Sequence, residues 1–407
     1  MTIEPGRILV ADDNLINLKL LRRMLEEQGH SVATAEHGQA ALELLRAEAF
    51  DLLLLDILMP EVDGYHVLEQ MKAEPGLRHI PVIVISAVDE LDSVVRCIEM
   101  GAEDYLPKLF NRVILRARIS ACLEKKRLRD KEQLYLKGLE RELAIGREIQ
   151  AGFLPDRLPQ PSGWELAARF HAAREVAGDF YDAFPLSQGQ KIGLVVGDVA
   201  GKGVGAALFM TLFRTLIRAT SSLDSFTQRA DGACAGLELL DGPSADAATL
   251  QNTVVLTNNY FADTHGQSHM FVTLFFGILD PMTGALSYIN GGHDPPMIVG
   301  SAGVKAYLRP TGPVVGLFYG KDYGVQETHL EPGDTLFAFT DGVTDAQNPS
   351  GEFFSQERLM ARLAQPVVSA SDLLDRIEAD LHAHMAGAAQ FDDVTMLAIR
   401  RLHAGDI

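Results

Sequence analysis

Over the first hundred residues, short solid apolar runs alternate with stretches of helical spacing. Runs at 8–11, 31–35, 51–55 and 82–85 read as strands. Residues 15–28 and 38–47 carry apolar positions at helical intervals, and Gly29 stops the first of them. Strands alternating with helices predict an α/β domain over 6–122, a doubly wound five-stranded parallel sheet. Its polar residues sit just past strand ends: Asp12 and Asp13, then Asp56, Ser86 and, after Tyr105, Lys108. In open α/β sheets that edge is where ligands bind.

From 112 to 155 the pattern changes. No proline appears until Pro155, and Leu128, Tyr135, Leu139, Leu143, Ile149 and Phe153 form one apolar stripe among charges. The spacing predicts a long helical linker. Its stripe packs either against a second copy as a coiled coil or back onto its own chain. Glu132 and Gly146 interrupt the heptad.

Residues 156–404 are patterned as a second domain. Strands are predicted at 164–170, 192–196, 271–279, 286–290, 335–339 and 394–399, with a helix over 204–217. The pair 271–279 and 286–290 reads as a hairpin closed by the turn 280–284. Strands in hairpins with helices grouped between them predict an α+β sandwich. The stretch 221–251 is polar and alanine-rich, and no element is assigned to it. Acidic turns punctuate the strands at Asp179, Asp198, Asp341 and Asp392–Asp393. At each, plain turn chemistry is the competing reading.

Composition narrows the function. At 407 residues the chain suits two to three domains, and its net charge of −19 argues against a nucleic-acid or anionic-membrane partner. Cys97, Cys122 and Cys234 are scattered, without zinc or disulfide spacing. Residues 1–7 hold no apolar run, and no run is long enough to span a bilayer. The expectation is a cytoplasmic protein.

The chemistry follows from the carboxylates. Asp12, Asp13 and Asp56 at one sheet edge repel one another, and a hard divalent cation such as Mg²⁺ relieves that repulsion. A carboxylate beside the cation can accept a phosphoryl group as an aspartyl phosphate. Ser86 can hydrogen-bond the new phosphoryl oxygen, and Lys108 can pair with its charge. In the second domain, separated acidic turns are what a pair of cations needs to ready a water for attack on phosphorus. His293, between glycine and prolines, reads as structural.

Segments 8–13 (ILVADD), 54–64 (LLDILMPEVDG), 85–87 (ISA) and 105–108 (YLPK) resemble the receiver domain of bacterial response regulators. That resemblance implies Asp56 as phospho-acceptor, and Asp12, Asp13 and the Leu58 carbonyl around Mg²⁺. It implies Ser86 and Lys108 as the phosphoryl switch, with Tyr105 turning inward on activation. Leu109 stands where the family carries proline. Segments 176–182 (VAGDFYD), 197–203 (GDVAGKG), 290–296 (NGGHDPP), 340–343 (TDGV) and 392–395 (DDVT) resemble a type 2C metal-dependent protein phosphatase of the stage II sporulation E branch. The approach 149–155 (IQAGFLP) is also typical of that branch. The likeness implies two Mn²⁺ or Mg²⁺ ions. Asp198 would bridge them, the Val199 carbonyl would lie beside it, and Asp179, Asp341 and Asp392 would complete a catalytic set. Asp393 stays open as an alternative ligand to Asp392.

The two resemblances together imply a two-component response regulator whose output is serine/threonine phosphatase activity, controlled at Asp56. Its implied partners are a sensor histidine kinase or phosphotransfer protein, a phosphorylated anti-sigma-factor antagonist as substrate, and a second copy joined through the linker. The alternative is a non-catalytic adaptor that sequesters a signalling partner.

Overall fold

The computed structural model describes residues 5–86, 91–108, 111–232, 244–403 and 405. Leu109 and Cys234 therefore lie outside the described residues, as does part of 221–251. The chain forms two compact units, Met1–Glu140 and Arg141–Ile407.

The first unit is a parallel sheet of β1 (Arg7–Ala11), β2 (Ser31–Ala35), β3 (Leu52–Asp56), β4 (Val82–Ser86) and β5 (Asp104–Pro107), in the order β2-β1-β3-β4-β5. Its helices are α1 (Leu15–Glu26), α2 (Gly38–Ala47), α3 (Gly64–Ala73), α4 (Leu91–Glu99) and the first turns of α5 (Arg112–Ala151). Strand residues alternate between two cores. Leu9, Leu53 and Val84 face one; Ile8, Leu52, Leu54 and Ile83 face the other, where Leu115 and Ile119 of α5 pack. Burial on both faces explains why the strands read as continuous apolar runs. Asn14 starts α1 by accepting the Ile16 amide at 2.9 Å, and Asp63 starts α3 by accepting the His66 amide at 2.8 Å.

Two antiparallel sheets make the second unit. One holds β7 (Phe180–Leu186), β8 (Lys191–Val199), β9 (Val272–Leu279), β10 (Ala285–Gly291) and β13 (Gln326–His329), in the order β13-β10-β9-β8-β7. The other holds β6 (Trp164–His171), β11 (Met297–Gly300), β12 (Gly303–Tyr307), β14 (Thr335–Phe339) and β15 (Val394–Arg401), in the order β12-β11-β14-β15-β6. Leu194, Phe275, Leu336 and Leu397 fill the space between the sheets. Helices α6 (Val204–Gly232) and α7 (Ala245–Thr264) cover the first sheet through Phe213 and Phe261. Helices α8 (Ser355–Leu363) and α9 (Ala370–Met385) cover the second through Leu359, Leu373 and Ile377. The result is a four-layer α+β sandwich.

The structure departs from the sequence expectation in several places. β8 extends through Asp198 and Val199, pairing Asp198 with Thr273, so this carboxylate sits at the strand's end and not in the turn beyond it. Helix α7 occupies residues to which no element was assigned. Its inward side mixes Leu250, Val254 and Phe261 with buried Thr249, Thr253, Thr257 and Asn258, which blurs an apolar period. β11, β12, β13, α8 and α9 also went unassigned; β11 and β13 are only four residues each. Among the described residues, no helix is long and apolar enough to cross a membrane.

Candidate functional site

In the first unit, β1 and β3 are neighbours, so Asp12 just past β1 stands beside Asp56 at the end of β3. Asp12, Asp13 and Asp56 bring carboxylate oxygens within 4.8 Å of one another. Asp12 and Asp56 are buried while Asp13 is exposed. The Lys108 ammonium lies 2.6 Å from Asp56 Oδ2 and 3.7 Å from Asp12 Oδ2. Burial pushes the Asp56 carboxyl above its ordinary value, and Lys108 offsets part of that. Burial pulls the Lys108 ammonium down, but Asp56 and Asp12 outweigh it and hold it above its ordinary value.

The remaining predicted residues surround this trio. Ser86 ends β4, next to β3, and its carbonyl accepts the Lys108 amide at 2.8 Å. The Leu58 amide points at Asp56 Oδ1 across 3.4 Å. Tyr105, on β5, is half-buried against the first core. Asn17 went unnoticed in the sequence: its amide nitrogen lies 3.1 Å from both oxygens of Asp12. Nothing in its local pattern separates it from an ordinary first-turn residue of α1.

In the second unit, both sheets deliver carboxylates toward one region. Asp198 is the next-to-last residue of β8 in the first sheet. Asp341 opens a short 3₁₀ turn after β14, and Asp392 and Asp393 precede β15. Asp179 immediately precedes β7. A cavity of about 190 Å³ is lined by Asp198, Thr273, Gly292, His293, Asp294 and Asp341.

Each carboxylate meets distinct partners. Asp179 is buried and accepts the hydroxyls of Thr340 at 2.6 Å and Thr395 at 2.7 Å. Burial and then the charge of Asp198 raise its carboxyl well above the usual range, against the pull of those hydroxyls. Burial, then the charges of Asp341 and Asp392, pushes Asp198 up to about 7. Burial, then Asp392, pushes Asp341 up to about 6. Asp393 is tied into the backbone: Oδ1 accepts the Ala173 amide and Oδ2 the Gly178 amide, both at 2.7 Å. Asp392 instead ion-pairs with Lys202 at 2.7 Å. Among the described residues, only the first unit's trio draws three such ligand atoms within 4.8 Å, so the second unit's carboxylates form the more open set.

Backbone proximity holds this region together. A Cβ on Gly342 would stand 1.8 Å from the Asp393 carbonyl oxygen, so only glycine lets the Asp341 turn lie against the Asp392–Asp393 segment. A Cβ on Gly178 would stand 2.9 Å from the Val199 carbonyl oxygen, which places that carbonyl beside the Asp179 loop. Buried Asp182 pairs with Arg214 at 2.8 Å and Arg218 at 3.2 Å, fastening α6 to β7. His293 is buried, meets Thr273 Oγ1 at 2.9 Å, and is lowered by burial to about 4. Its backbone is locked by Asn290, whose side chain both accepts the His293 amide and donates to its carbonyl. These contacts fix the ring and its backbone at the cavity wall.

Comparison with known proteins gives two family matches. The model of the response regulator receiver domain matches residues 8–120, and that of Stage II sporulation protein E (SpoIIE) matches residues 188–402. Protein IcfG of Synechocystis sp. is 39% identical over 266 residues, covering 64% of this chain and 41% of IcfG. Response regulator PleD of Caulobacter vibrioides is 40% identical over 114 residues, covering 28% of this chain and 25% of PleD. The chain thus spans less than half the length of these curated relatives. The SiaA-PP2C domain of Pseudomonas aeruginosa superposes with a TM-score of 0.50 at 21% identity, covering 65% of this chain and 98% of that one. It shares the fold of the second unit.

Proposed function

The chain belongs to the SpoIIE family and carries a response regulator receiver domain ahead of that module, and on that premise we propose that it is a two-component response regulator whose output is metal-dependent dephosphorylation of phosphoserine or phosphothreonine on a partner protein. The observation that carries this reading is the convergence of Asp179, Asp198 and Asp341, from strand ends of both sheets, where burial first and neighbouring carboxylates second raise all three. Their donors are hard oxygens, which suits Mg²⁺ or Mn²⁺.

Asp198, Asp341, Asp179 and Asp392, with the Val199 carbonyl, would hold two such ions. When bound, the ions supply Lewis acidity toward a water and toward a phosphoryl oxygen. The chain's own residues set the stage. Thr340 and Thr395 orient Asp179, and Asp393 fixes the loop that carries it. The cavity beside Asp198 and Asp341 admits the phosphoryl group.

In the receiver, an Asp56 oxygen forms a bond to phosphorus as the donor's bond to phosphorus breaks, and Lys108 Nζ pairs with the transferred charge. Asp12 and Asp13 would hold Mg²⁺ beside it, with the Leu58 carbonyl. Ser86 and Tyr105 would sense the phosphoryl group. The donor is a sensor kinase or phosphotransfer protein, and the substrate is an anti-sigma-factor antagonist. Leu128, Leu134, Tyr135, Leu136, Leu139, Ile145 and Ile149 lie exposed along α5, which supports pairing with a second copy.

The test is phosphate release from p-nitrophenyl phosphate with Mn²⁺. Wild type is expected to turn over and Asp198→Ala to fall to background. A wild type that releases nothing while binding a partner returns the adaptor reading. Asp56→Asn is expected to lose the rate change that a beryllofluoride phosphoryl mimic produces in wild type; equal rates in every form would remove the regulatory part.

A further inference from the structure

Helix α5 ends on the loop that leads to Asp179. Gln150, one residue before the helix's end, is 6% exposed and reaches the backbone of Ala177, which is fully buried. Gln150 Nε2 donates to the Ala177 carbonyl at 2.7 Å, and the Ala177 amide donates to Gln150 Oε1 at 2.9 Å. A primary amide offers donor and acceptor side by side, so a single side chain satisfies both polar groups of one peptide residue. One turn earlier the backbone of Gly146 passes the same loop: a Cβ there would stand 3.8 Å from Val176 Cγ1. Gly146 and Gln150 share a helix face, so both lie on the side of α5 that meets this loop.

The loop is held from its other side as well. Asp393 takes the amides of Ala173 and Gly178, and the Gly178 carbonyl accepts the Val199 amide at 3.4 Å. Asp179 follows directly. Thr340 and Thr395 hold its carboxylate directly, while the backbone that carries it is held by two grips, one from the Asp393 segment and one from α5. Neither Gln150 nor Ala177 lines the cavity.

We propose that Gln150 is a positioning residue: through its two-point grip on Ala177, α5 sets the placement of Asp179 and so the affinity of the Asp198 cavity for divalent cations. This rests on reading that cavity as a cation site. It makes the linker helix a direct determinant of site assembly, so that a change in α5 is felt first at cation uptake.

The experiment uses the full chain as wild type, Gln150→Met, Gln150→Glu and the exposed neighbour control Glu148→Gln. Met keeps the length and removes both hydrogen bonds. Glu keeps an acceptor for the Ala177 amide but turns a second acceptor on its carbonyl. Three quantities are read: hydrogen exchange of a peptide spanning 173–180 in cation-free protein, Mn²⁺ affinity by electron paramagnetic resonance, and kcat and KM on p-nitrophenyl phosphate. Both Gln150 variants are expected to speed exchange and weaken Mn²⁺ about tenfold, the scale of two hydrogen bonds. kcat should recover at saturating Mn²⁺, and Glu148→Gln should match wild type. Faster exchange with unchanged Mn²⁺ affinity would make the grip merely structural and overturn the inference, as would unchanged exchange. A wild type that shows no Asp198-dependent Mn²⁺ uptake overturns the reading of the cavity itself, a result distinct from either.

Discussion

Asp392 and Asp393 adjoin in sequence and meet different partners. Asp393 spends both oxygens on the Ala173 and Gly178 amides, while Asp392 pairs with Lys202, a cation that is exposed at the turn after β8. The two substitutions should therefore separate. Asp393→Ala strands two backbone amides and is expected to cost about 1.5–3 kcal/mol per charge-assisted bond lost. Thermal unfolding of the second unit would fall clearly. Asp392→Ala should leave the melting temperature within a degree or two of wild type, by the small worth of exposed ion pairs, and weaken Mn²⁺ uptake instead. Equal melting losses in both would refute the division of roles. At this scale the sequence exposed the acidic residues themselves, because Asp198 and Asp341 follow legible apolar runs and Asp392–Asp393 precede one. It concealed what holds them. Thr340 and Thr395 meet Asp179 across sequence separations of 161 and 216 residues. Thr340, Thr395, Lys202 and Gln150 stand inside the segments that carry the resemblance, yet nothing local says which partner each meets, and Asn17 carries no mark at all.

At the scale of elements, α5 and the receiver strands were readable and short or mixed segments were not, while α9 was missed although Leu373, Leu374, Ile377 and Leu381 stand at helical spacing. α5 was evident from its stripe and lack of proline, and the receiver strands from burial on both faces. α7 hid because threonine and asparagine occupy four of its seven buried positions. β11 and β13 hid because four residues carry too little period. The exposed stretch of α5 gives its own prediction. Tyr135 is 72% exposed and Leu134 is 71% exposed, a surface that a paired helix would cover. Placing a charge there should break a coiled-coil seam. Tyr135→Glu is expected to shift the chain from dimer to monomer in sedimentation velocity while both units keep their circular dichroism. A monomeric wild type would show that α5 needs no second copy.

For the whole molecule, the decisive feature is that one helix belongs to both compact units. Leu115 and Ile119 lie in the receiver's core, and Gln150 grips the Asp179 loop, with no proline in between. Helix geometry ties the length of α5 to its phase. Each residue added to it advances the far end by about 1.5 Å and turns it by about 100°. On the proposed control of turnover by Asp56, a single alanine inserted after Lys131 should abolish the rate difference that beryllofluoride produces on p-nitrophenyl phosphate. About seven added residues bring the angle back to within roughly 20°, and control should return at a longer spacing. The length of the linker would then matter less than its remainder after whole turns, as in a geared shaft.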